Sequence, residues 1–226
     1  MGVTRENFKH YKTLKDKGVV KFTDKLKIME LGSQTVHFQD AGFFREYLTY
    51  LDLDPTLADN FPFDVSNRIV HETFGHTYDC IDLDPLDPKA YFWDLNTMEC
   101  PEEHKGVYDI VTNHGTTEHL IGQATSFKMM HDLTKKGGAM ISVLPFIDIN
   151  HGLFSYNPIF FESLAKYNDY EIVGLYVMES RPGAPLEECN KLPYIPLRPS
   201  YVHCILKKQN DNEFVFPSQI HHYGVK

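Results

Sequence analysis

Short apolar runs of strand length alternate with longer amphipathic segments along most of this 226-residue chain. Turn residues or prolines close most of the runs, which is typical of buried strands. Seven strands are predicted, at residues 25–31, 76–83, 90–94, 107–113, 138–144, 171–178 and 201–207. Because helical segments separate several of them, we expect a mostly parallel sheet with helices on both faces.

Two helices are predicted in the second half of the chain. Residues 117–133 carry apolar side chains at every third or fourth position, the spacing of an amphipathic helix. Asn157 and Pro158 begin another helix, since proline is favoured in the first helical turn. The expected architecture is a three-layer α/β sandwich with a seven-stranded, mostly parallel sheet whose last strand is antiparallel.

A single domain is expected over residues 1–226, with an N-terminal helical segment at 1–24. Two stretches are longer than a minimal connection between a strand and a helix: residues 41–75, and residues 179–200 with five prolines. Long loops in compact domains are often functional. The first stretch is therefore a candidate lid and the second a candidate substrate-side loop, with surface insertions as the alternative.

The composition argues against several classes of partner. The formal net charge of -9 disfavours binding to the phosphate backbone of a nucleic acid. No apolar stretch is long enough to span a bilayer, and the first residues lack the apolar core of a secretory signal. The four cysteines form no CxxC pair, which is typical of reduced thiols. We expect a cytoplasmic protein that acts on a small molecule, and a homodimer is compatible with this composition.

Polar residues follow the first four predicted strands at their carboxyl ends, where open parallel sheets bind ligands. The first strand ends at Glu30 and Gly32, and glycine permits a tight turn and the close approach of a ligand. The second ends at Asp82, a carboxylate able to accept both hydroxyls of a ribose. Asp94 after the third strand is able to accept from an adenine amino group, and Asn113 ends the fourth. The four ends together predict a nucleoside-binding edge.

Four segments carry a resemblance to a known family: KIMELGSQ, YDCIDLDP with FWDLN, YDIVTNHGTTEHL and LTKKGGAMISVLPF. Over roughly residues 25–207 the chain resembles class I S-adenosylmethionine-dependent methyltransferases. The resemblance implies a Rossmann-like fold with S-adenosylmethionine as cofactor. It implies contacts to the methionine part from Glu30, Gly32 and Ser33, to the ribose from Asp82 with Leu83, to the adenine from Asp94 and Leu95, and further contacts from Asn113 and His114.

The loop after the first strand departs from the pattern of that family. It reads ELGSQT, with Ser33 and Gln34 where a second glycine is often found. The GxGxxG of dinucleotide-binding folds is absent as well, which disfavours a nicotinamide enzyme.

Two histidines are candidates for the base that methylation of a hydroxyl requires, because an unperturbed imidazole titrates near neutral pH. His119 follows Glu118 after the fourth strand, and His151 lies between the fifth strand and the next helix. A structural hydrogen bond or a helix cap is the alternative for each. His71 and His76 are five residues apart and do not form the HExxH of a metalloprotease, and the spacing around Asp148 does not favour a magnesium site, so no metal ligands are assigned.

The acceptor itself is predicted to contact residues outside the strand ends. Tyr11 precedes the first strand, and Arg45 and Arg68 lie in the 41–75 stretch, where a guanidinium is able to clamp an anion. Core packing of Tyr11 and solvent exposure of the two arginines are the alternatives. The resulting hypothesis is an O-methyltransferase for a small polar acceptor such as a sugar or a biosynthetic intermediate. The rivals are a nitrogen, carboxylate or phosphorus oxyanion acceptor, a non-catalytic binding protein on the same fold, and, disfavoured by charge, an RNA methyltransferase.

Overall fold

The computed structural model describes residues 2–37, 40–85, 87–148, 150–181, 183–189 and 198–218. Its centre is one seven-stranded sheet. The strands are β1 (Lys27–Leu31), β2 (Thr77–Ile81), β3 (Tyr108–His114), β4 (Thr134–Ile147), β5 (Tyr170–Glu179), β6 (Glu187–Glu188) and β7 (Ser200–Lys208). The helices are α1 (Phe8–Asp16), α2 (Ala41–Tyr50), α3 (Asn67–Thr73), α4 (Gln123–Leu133) and α5 (Pro158–Asn168).

The sheet is mixed, and its strand order is β2-β1-β3-β4-β7-β5-β6. Neighbours among β1 to β4 pair in parallel, whereas β7 runs antiparallel to both β4 and β5. The chain moves to one side of β1 to form β2 and then to the other side to form β3. The switch point of the sheet, where ligands of open α/β folds bind, therefore lies between the carboxyl ends of β1 and β3.

The helices cover both faces of the sheet because successive strand residues point to opposite sides. Ile28, Ile110 and Ile141 pack with the hydrophobic cluster that includes side chains of α1, α2 and α3. Met29 and Val111 pack with the cluster of α4 and α5. The expected three-layer α/β sandwich with antiparallel strands at the end of the chain is confirmed.

Side-chain caps fix the start of three of these helices. Asp40 accepts from the Phe43 amide at 2.9 Å at the start of α2, and Ser66 caps α3. Asn157 caps α5 with Pro158 in the first turn, as the sequence predicted. The 41–75 stretch is thus largely helical.

Two predicted elements differ from the structure. The predicted strand 90–94 is reduced to one bridge, between Tyr91 and Ile81, and the two-residue β6 takes its place in the count of seven. The predicted helix 117–133 is interrupted: Thr117–His119 form a 3-10 turn, and α4 begins at Gln123. The break occurs because Glu118 turns into the protein interior, as described below.

No helix among the described residues has both the length and the apolar character that crossing a bilayer requires.

Candidate functional site

The glycine turn after β1 and the acid after β2 contact each other directly. Gly32 has a φ of 75°, in the region that favours glycine. The amide and the hydroxyl of Ser33 both donate to Oδ2 of Asp82, at 2.7 and 2.9 Å. The amide of Asp84 donates to Oδ1 of the same carboxylate at 3.0 Å. Asp82 is half-buried, so its carboxylate still reaches the surface at the carboxyl edge of the sheet.

Glu30 is enclosed beneath this turn, with no exposed surface. Its side chain accepts from Asn67 Nδ2 at 2.9 Å, from the amide of Gln34 at 3.2 Å and from the hydroxyl of Tyr78. The carboxylate therefore fixes the loop after β1 against α3 and β2. Because it is buried, the carboxylate itself does not reach the surface at this edge of the sheet.

The side chain of Thr116 covers Gly32. A Cβ placed on Gly32 would collide with Oγ1 of Thr116, which donates to the carbonyl of Leu31 at 2.6 Å. The buried side chain of Asn113 holds this turn, accepting from the amides of Thr116 and Thr117 at 3.3 Å each. In this structure the Thr116 side chain thus occupies the space beside Gly32 that a ligand would otherwise enter.

The segment after the Tyr91 bridge presents a second accessible carboxylate. Asp94 accepts from the amide and the side chain of Asn96 at 2.9 Å each and from Thr97 Oγ1 at 3.2 Å. These bonds lower the pKa of Asp94 below its usual range, and the bond from the backbone amide of Asn96 contributes most. Asp94 therefore remains an ionised acceptor at neutral pH.

The nine residues predicted to contact a cofactor thus divide into two groups. Asp82, Leu83 and Asp94 are accessible at the carboxyl edge. The other six are buried: Glu30, Gly32, Ser33, Leu95, Asn113 and His114.

The two histidines predicted as bases come together with a buried acid. Nε2 of His151 lies 3.1 Å from Oε1 of Glu118, and Nε2 of His119 lies 3.8 Å from the same oxygen. The Glu118 side chain has no exposed surface, whereas those of His151 and His119 are 27% and 51% exposed. Burial raises the pKa of the Glu118 carboxyl, although the two imidazoles act in the opposite direction. Both histidines are predicted from the sequence, whereas the part played by Glu118 becomes visible only in the structure.

A hydrogen-bond network below this cluster holds its backbone. The hydroxyl of Tyr156 donates to Thr117 Oγ1 at 3.0 Å and to the side-chain carbonyl of Gln123. The side-chain amide of Gln123 donates to the carbonyls of Thr117 and Leu120, at 2.6 Å each. These bonds occupy the polar groups of the short turn and direct the Glu118 side chain inward.

A cavity of about 450 Å³ opens near the cluster at the carboxyl edge of the sheet. The strand residues Val143, Met178 and Tyr201 line it, together with residues of the N-terminal segment. The hydroxyl of Tyr201 donates to Asp148 at 3.3 Å, and its ring centroid lies 6.1 Å from that of His151. Tyr201 therefore connects the cavity to the Glu118 cluster.

The residues predicted to contact the acceptor lie apart from this cavity. Tyr11 is buried in the core, with its hydroxyl 3.3 Å from Nε2 of His71. Arg68 is buried as well, and its guanidinium is bonded to Asp87 and to the carbonyl of Tyr78. Two of its three guanidinium nitrogens, Nε and Nη1, thus bond groups of the core, and the clamp stays a prediction for Arg68.

Arg45, the second arginine of the predicted clamp, is exposed and paired with Asp59. That Arg45 contacts an anionic acceptor stays a prediction.

The structure also assembles buried imidazoles that the sequence analysis did not connect. Nε2 of His10 lies 2.9 Å from Nδ1 of His203, and the His10 and His114 rings stack with centroids 6.4 Å apart. Nδ1 of His114 lies 3.5 Å from Glu30. His203 lines the cavity. The pairing of β1, β3, β4 and β7 and the packing of α1 bring these distant positions together, so no local sequence signal predicts the cluster.

Comparison with known proteins gives likeness at the level of the fold. No protein-family model and no curated protein matches the chain. Among solved structures, a protein from Galdieria sulphuraria assigned provisionally as a sarcosine dimethylglycine methyltransferase is 12% identical, with 92% of each chain covered and a TM-score of 0.50. A 1,6-didemethyltoxoflavin-N1-methyltransferase from Burkholderia thailandensis is 13% identical, with 91% of this chain and 80% of that chain covered and a TM-score of 0.46. The chain has the Rossmann-like fold of class I S-adenosylmethionine-dependent methyltransferases.

Proposed function

We propose that this chain is an S-adenosylmethionine-dependent methyltransferase that methylates an oxygen of a small polar acceptor. The observation that carries the proposal is the contact between Ser33 and Asp82. It places a partly exposed carboxylate beside a glycine turn, next to the switch point of the sheet. A carboxylate in this position is suited to accept the hydroxyls of a ribose.

The described residues fit the nucleoside part of this cofactor. A carboxylate has about four lone-pair sites. Each of Asp82 and Asp94 accepts three hydrogen bonds from protein groups. About one site therefore remains on each, for a ribose hydroxyl at Asp82 and an adenine amino group at Asp94. Gly32 and Ser33 would hold the methionine part once the Thr116 side chain rotates away from Gly32.

The acceptor chemistry follows from the Glu118 cluster. When bound, the cofactor supplies an electrophilic methyl group on a sulfonium centre, and the protein supplies alignment and proton removal. His151 would take the proton of the acceptor hydroxyl at a ring nitrogen, and Glu118 would stabilise the resulting imidazolium. The exposed imidazole of His119 is the second candidate for the base. The neighbouring cavity has the size of a small-molecule site, which supports a small acceptor.

Calorimetry with the demethylated cofactor, S-adenosylhomocysteine, tests the binding half of the proposal. Asp82→Asn is expected to weaken binding by at least about tenfold, because a hydrogen bond to a charged group contributes about 1.5–3 kcal/mol. Asp24→Asn is the matched control, since Asp24 is exposed in the loop before β1, at the opposite edge of the sheet. Equal affinities for the two variants would contradict the assignment of Asp82.

Transfer of labelled methyl groups to a panel of acceptors tests the catalytic half. Mass spectrometry of the products distinguishes a methyl ether from a methylamine or a methyl ester. An ether from a hydroxylated acceptor is the expected product. Methylation confined to nitrogen or carboxylate acceptors would replace the oxygen assignment while leaving the enzyme class intact.

A second candidate is a non-catalytic binding protein on the same fold. The specific observation in its favour is that Thr116 covers Gly32. A side chain of the protein itself therefore occupies the position at which the methionine part of the cofactor would contact Gly32. Binding of S-adenosylhomocysteine without methyl transfer to any acceptor of the panel would favour this candidate. Methyl transfer to one acceptor would exclude it.

A further inference from the structure

We infer that Glu118, His119 and His151 form a binding site for one divalent transition-metal ion, with Zn²⁺ as the representative ion. The three side chains come from two loops at the carboxyl edge of the sheet, one after β3 and one after β4. Each offers one ligand atom, and these atoms lie within 4.8 Å of one another.

The two separations between Glu118 and the histidines suit a tetrahedral ion. Ligand atoms bound to zinc at about 2.0–2.1 Å lie about 3.4 Å apart in a tetrahedron. The two distances from Glu118 Oε1 bracket that value, at 3.1 Å to His151 and 3.8 Å to His119. The His119 side chain is half exposed, so it is free to turn by the small amount that closing the site requires.

The buried carboxylate lacks a partner that an ion would supply. Oε2 of Glu118 is buried and has no hydrogen-bond partner among the described residues. A buried acceptor without a partner costs free energy, more so when it is charged. A cation bound to Oε1, between Glu118 and the two imidazoles, would offset this cost by neutralising the charge that the two carboxylate oxygens share.

The ligand types select the class of ion. Two imidazoles with one carboxylate are typical of zinc and other first-row transition metals, whereas Mg²⁺ and Ca²⁺ prefer oxygen ligands throughout. Three protein ligands also leave a fourth position open, the arrangement of catalytic rather than structural zinc sites.

The backbone around the cluster is built to hold the two loops together. The amides of Leu153 and Phe154 donate to the Glu118 carbonyl, at 2.7 and 3.2 Å. Gly152 has a φ of 73°, and a Cβ there would lie 2.7 Å from Cγ of Glu118. Only glycine allows the second loop to approach Glu118 this closely. The ligands are thus fixed relative to each other by contacts that do not involve the histidine rings.

Ion binding stands independently of methyl transfer, but it changes how the base would act. If the proposed function holds and the ion is bound, His151 is a metal ligand and not the proton acceptor. The acceptor oxygen would then occupy the open position, where the metal lowers the pKa of a bound hydroxyl, and solvent would take the proton.

The test is calorimetry with ZnCl₂ on the chelator-treated full chain, together with the visible spectrum of the Co²⁺ form. One ion per chain is expected. His119→Ala and His151→Ala are each expected to weaken binding by at least about tenfold and to change the Co²⁺ spectrum. Glu118→Gln is expected to weaken binding as well, but it alters a buried group and is the variant more at risk of not folding. His119 is exposed, so His119→Ala is expected to fold in either case and keeps the test decisive.

Two controls address binding elsewhere on a chain that has twelve histidines. His37→Ala removes another exposed imidazole, and a double alanine variant removes the adjacent His221 and His222. Both are expected to bind Zn²⁺ like the unaltered chain. If His119→Ala and His151→Ala bind like the unaltered chain, the site is overturned.

Neither readout requires cofactor or turnover. S-adenosylhomocysteine calorimetry on the same protein samples therefore reports separately on the proposed function. Binding of Zn²⁺ without binding of S-adenosylhomocysteine would support the metal site and contradict the methyltransferase assignment. Binding of S-adenosylhomocysteine without binding of Zn²⁺ would support that assignment and contradict the metal site.

Discussion

Nε2 of His151 lies 3.1 Å from Oε1 of Glu118, although 33 positions separate the two residues in the sequence. The pair joins a partly exposed imidazole to a carboxylate that has no exposed surface. A hydrogen bond to a buried acid holds the imidazole in one orientation. The proposed acceptor chemistry therefore centres on the edge beyond β3 and β4.

Replacing His151 is expected to reduce turnover strongly. His151→Asn keeps a polar side chain but removes the proton acceptor, and a positioned base contributes about 100- to 10,000-fold to rate. We therefore expect kcat to fall within that range while S-adenosylhomocysteine binding stays unchanged. Steady-state kinetics with the best acceptor of the panel measures the effect. His104→Asn is the control, because His104 lies in the turn before β3, at the opposite edge of the sheet. Equal kcat values for the two variants would remove His151 from the mechanism.

Gly32→Ala is expected to destabilise the protein for two separable reasons. An L-residue with positive φ costs about 1–2 kcal/mol, and the new Cβ would also collide with Thr116. Gly18 has a φ of 64° with open space around its Cα, so Gly18→Ala carries the first cost alone. Urea unfolding is expected to show a larger loss of unfolding free energy for Gly32→Ala. Equal losses would show that the contact between Gly32 and Thr116 is not tight.

Tyr156→Phe tests whether the network below the cluster positions Glu118. The substitution removes the hydroxyl that bonds Thr117 and Gln123. Thr117 keeps its bond from Asn113, so the side-chain carbonyl of Gln123 is the group that loses its partner, which costs about 1–3 kcal/mol. We expect that loss of unfolding free energy together with a lower kcat. Tyr50→Phe is the control, because the Tyr50 hydroxyl bonds Asp16 at the exposed surface. A stability loss with an unaltered kcat would restrict Tyr156 to a structural role.

The buried histidines predict a loss of stability in acid. Burial lowers the pKa of His203 to about 3 and that of His76 to about 4, and His114 and Lys9 add to the shift of His203. Below the ordinary histidine pKa of about 6.5 the unfolded chain takes up protons that the folded chain does not. The unfolding free energy is therefore expected to fall between pH 6.5 and 4, by about 1.4 kcal/mol per pH unit for each such group.

Urea unfolding at several pH values between 7 and 4.5 measures the slope of the unfolding free energy against pH. His203→Gln is expected to reduce it by the contribution of one group, whatever its effect on stability at pH 7. His37→Gln, which alters an exposed imidazole, is expected to leave the slope unchanged. A slope that is the same for His203→Gln and the unaltered chain would contradict the assignment.

The local pattern of the sequence was sufficient for most of the fold. Alternation of apolar runs predicted β5 and β7 to within one residue at each end, since a strand of length ten or nine with a buried face leaves a clear signal. Asn157 and Pro158 predicted the start of α5, because capping depends on neighbouring residues alone. The polar residues after β1, β2 and β3 lie at one edge of the sheet, as predicted, because the carboxyl ends of parallel strands lie side by side.

The exceptions all depend on contacts between distant residues. The apolar spacing of residues 117–133 continues through Glu118, yet the network from Tyr156 turns that side chain inward and ends the helical pattern. The burial of Arg68 is not predictable from its neighbours, because its partner Asp87 lies 19 positions away in the sequence.

The sequence by itself therefore determined the layers, the order of the elements and the residue types at the edge of the sheet. Only the tertiary structure decided which of those residues reach the surface and which partners they meet. The physical reason is that periodicity and capping act over a few residues, whereas the pairing of Glu118 with His151 and of His10 with His203 requires loops and strands to be brought together by the completed sheet.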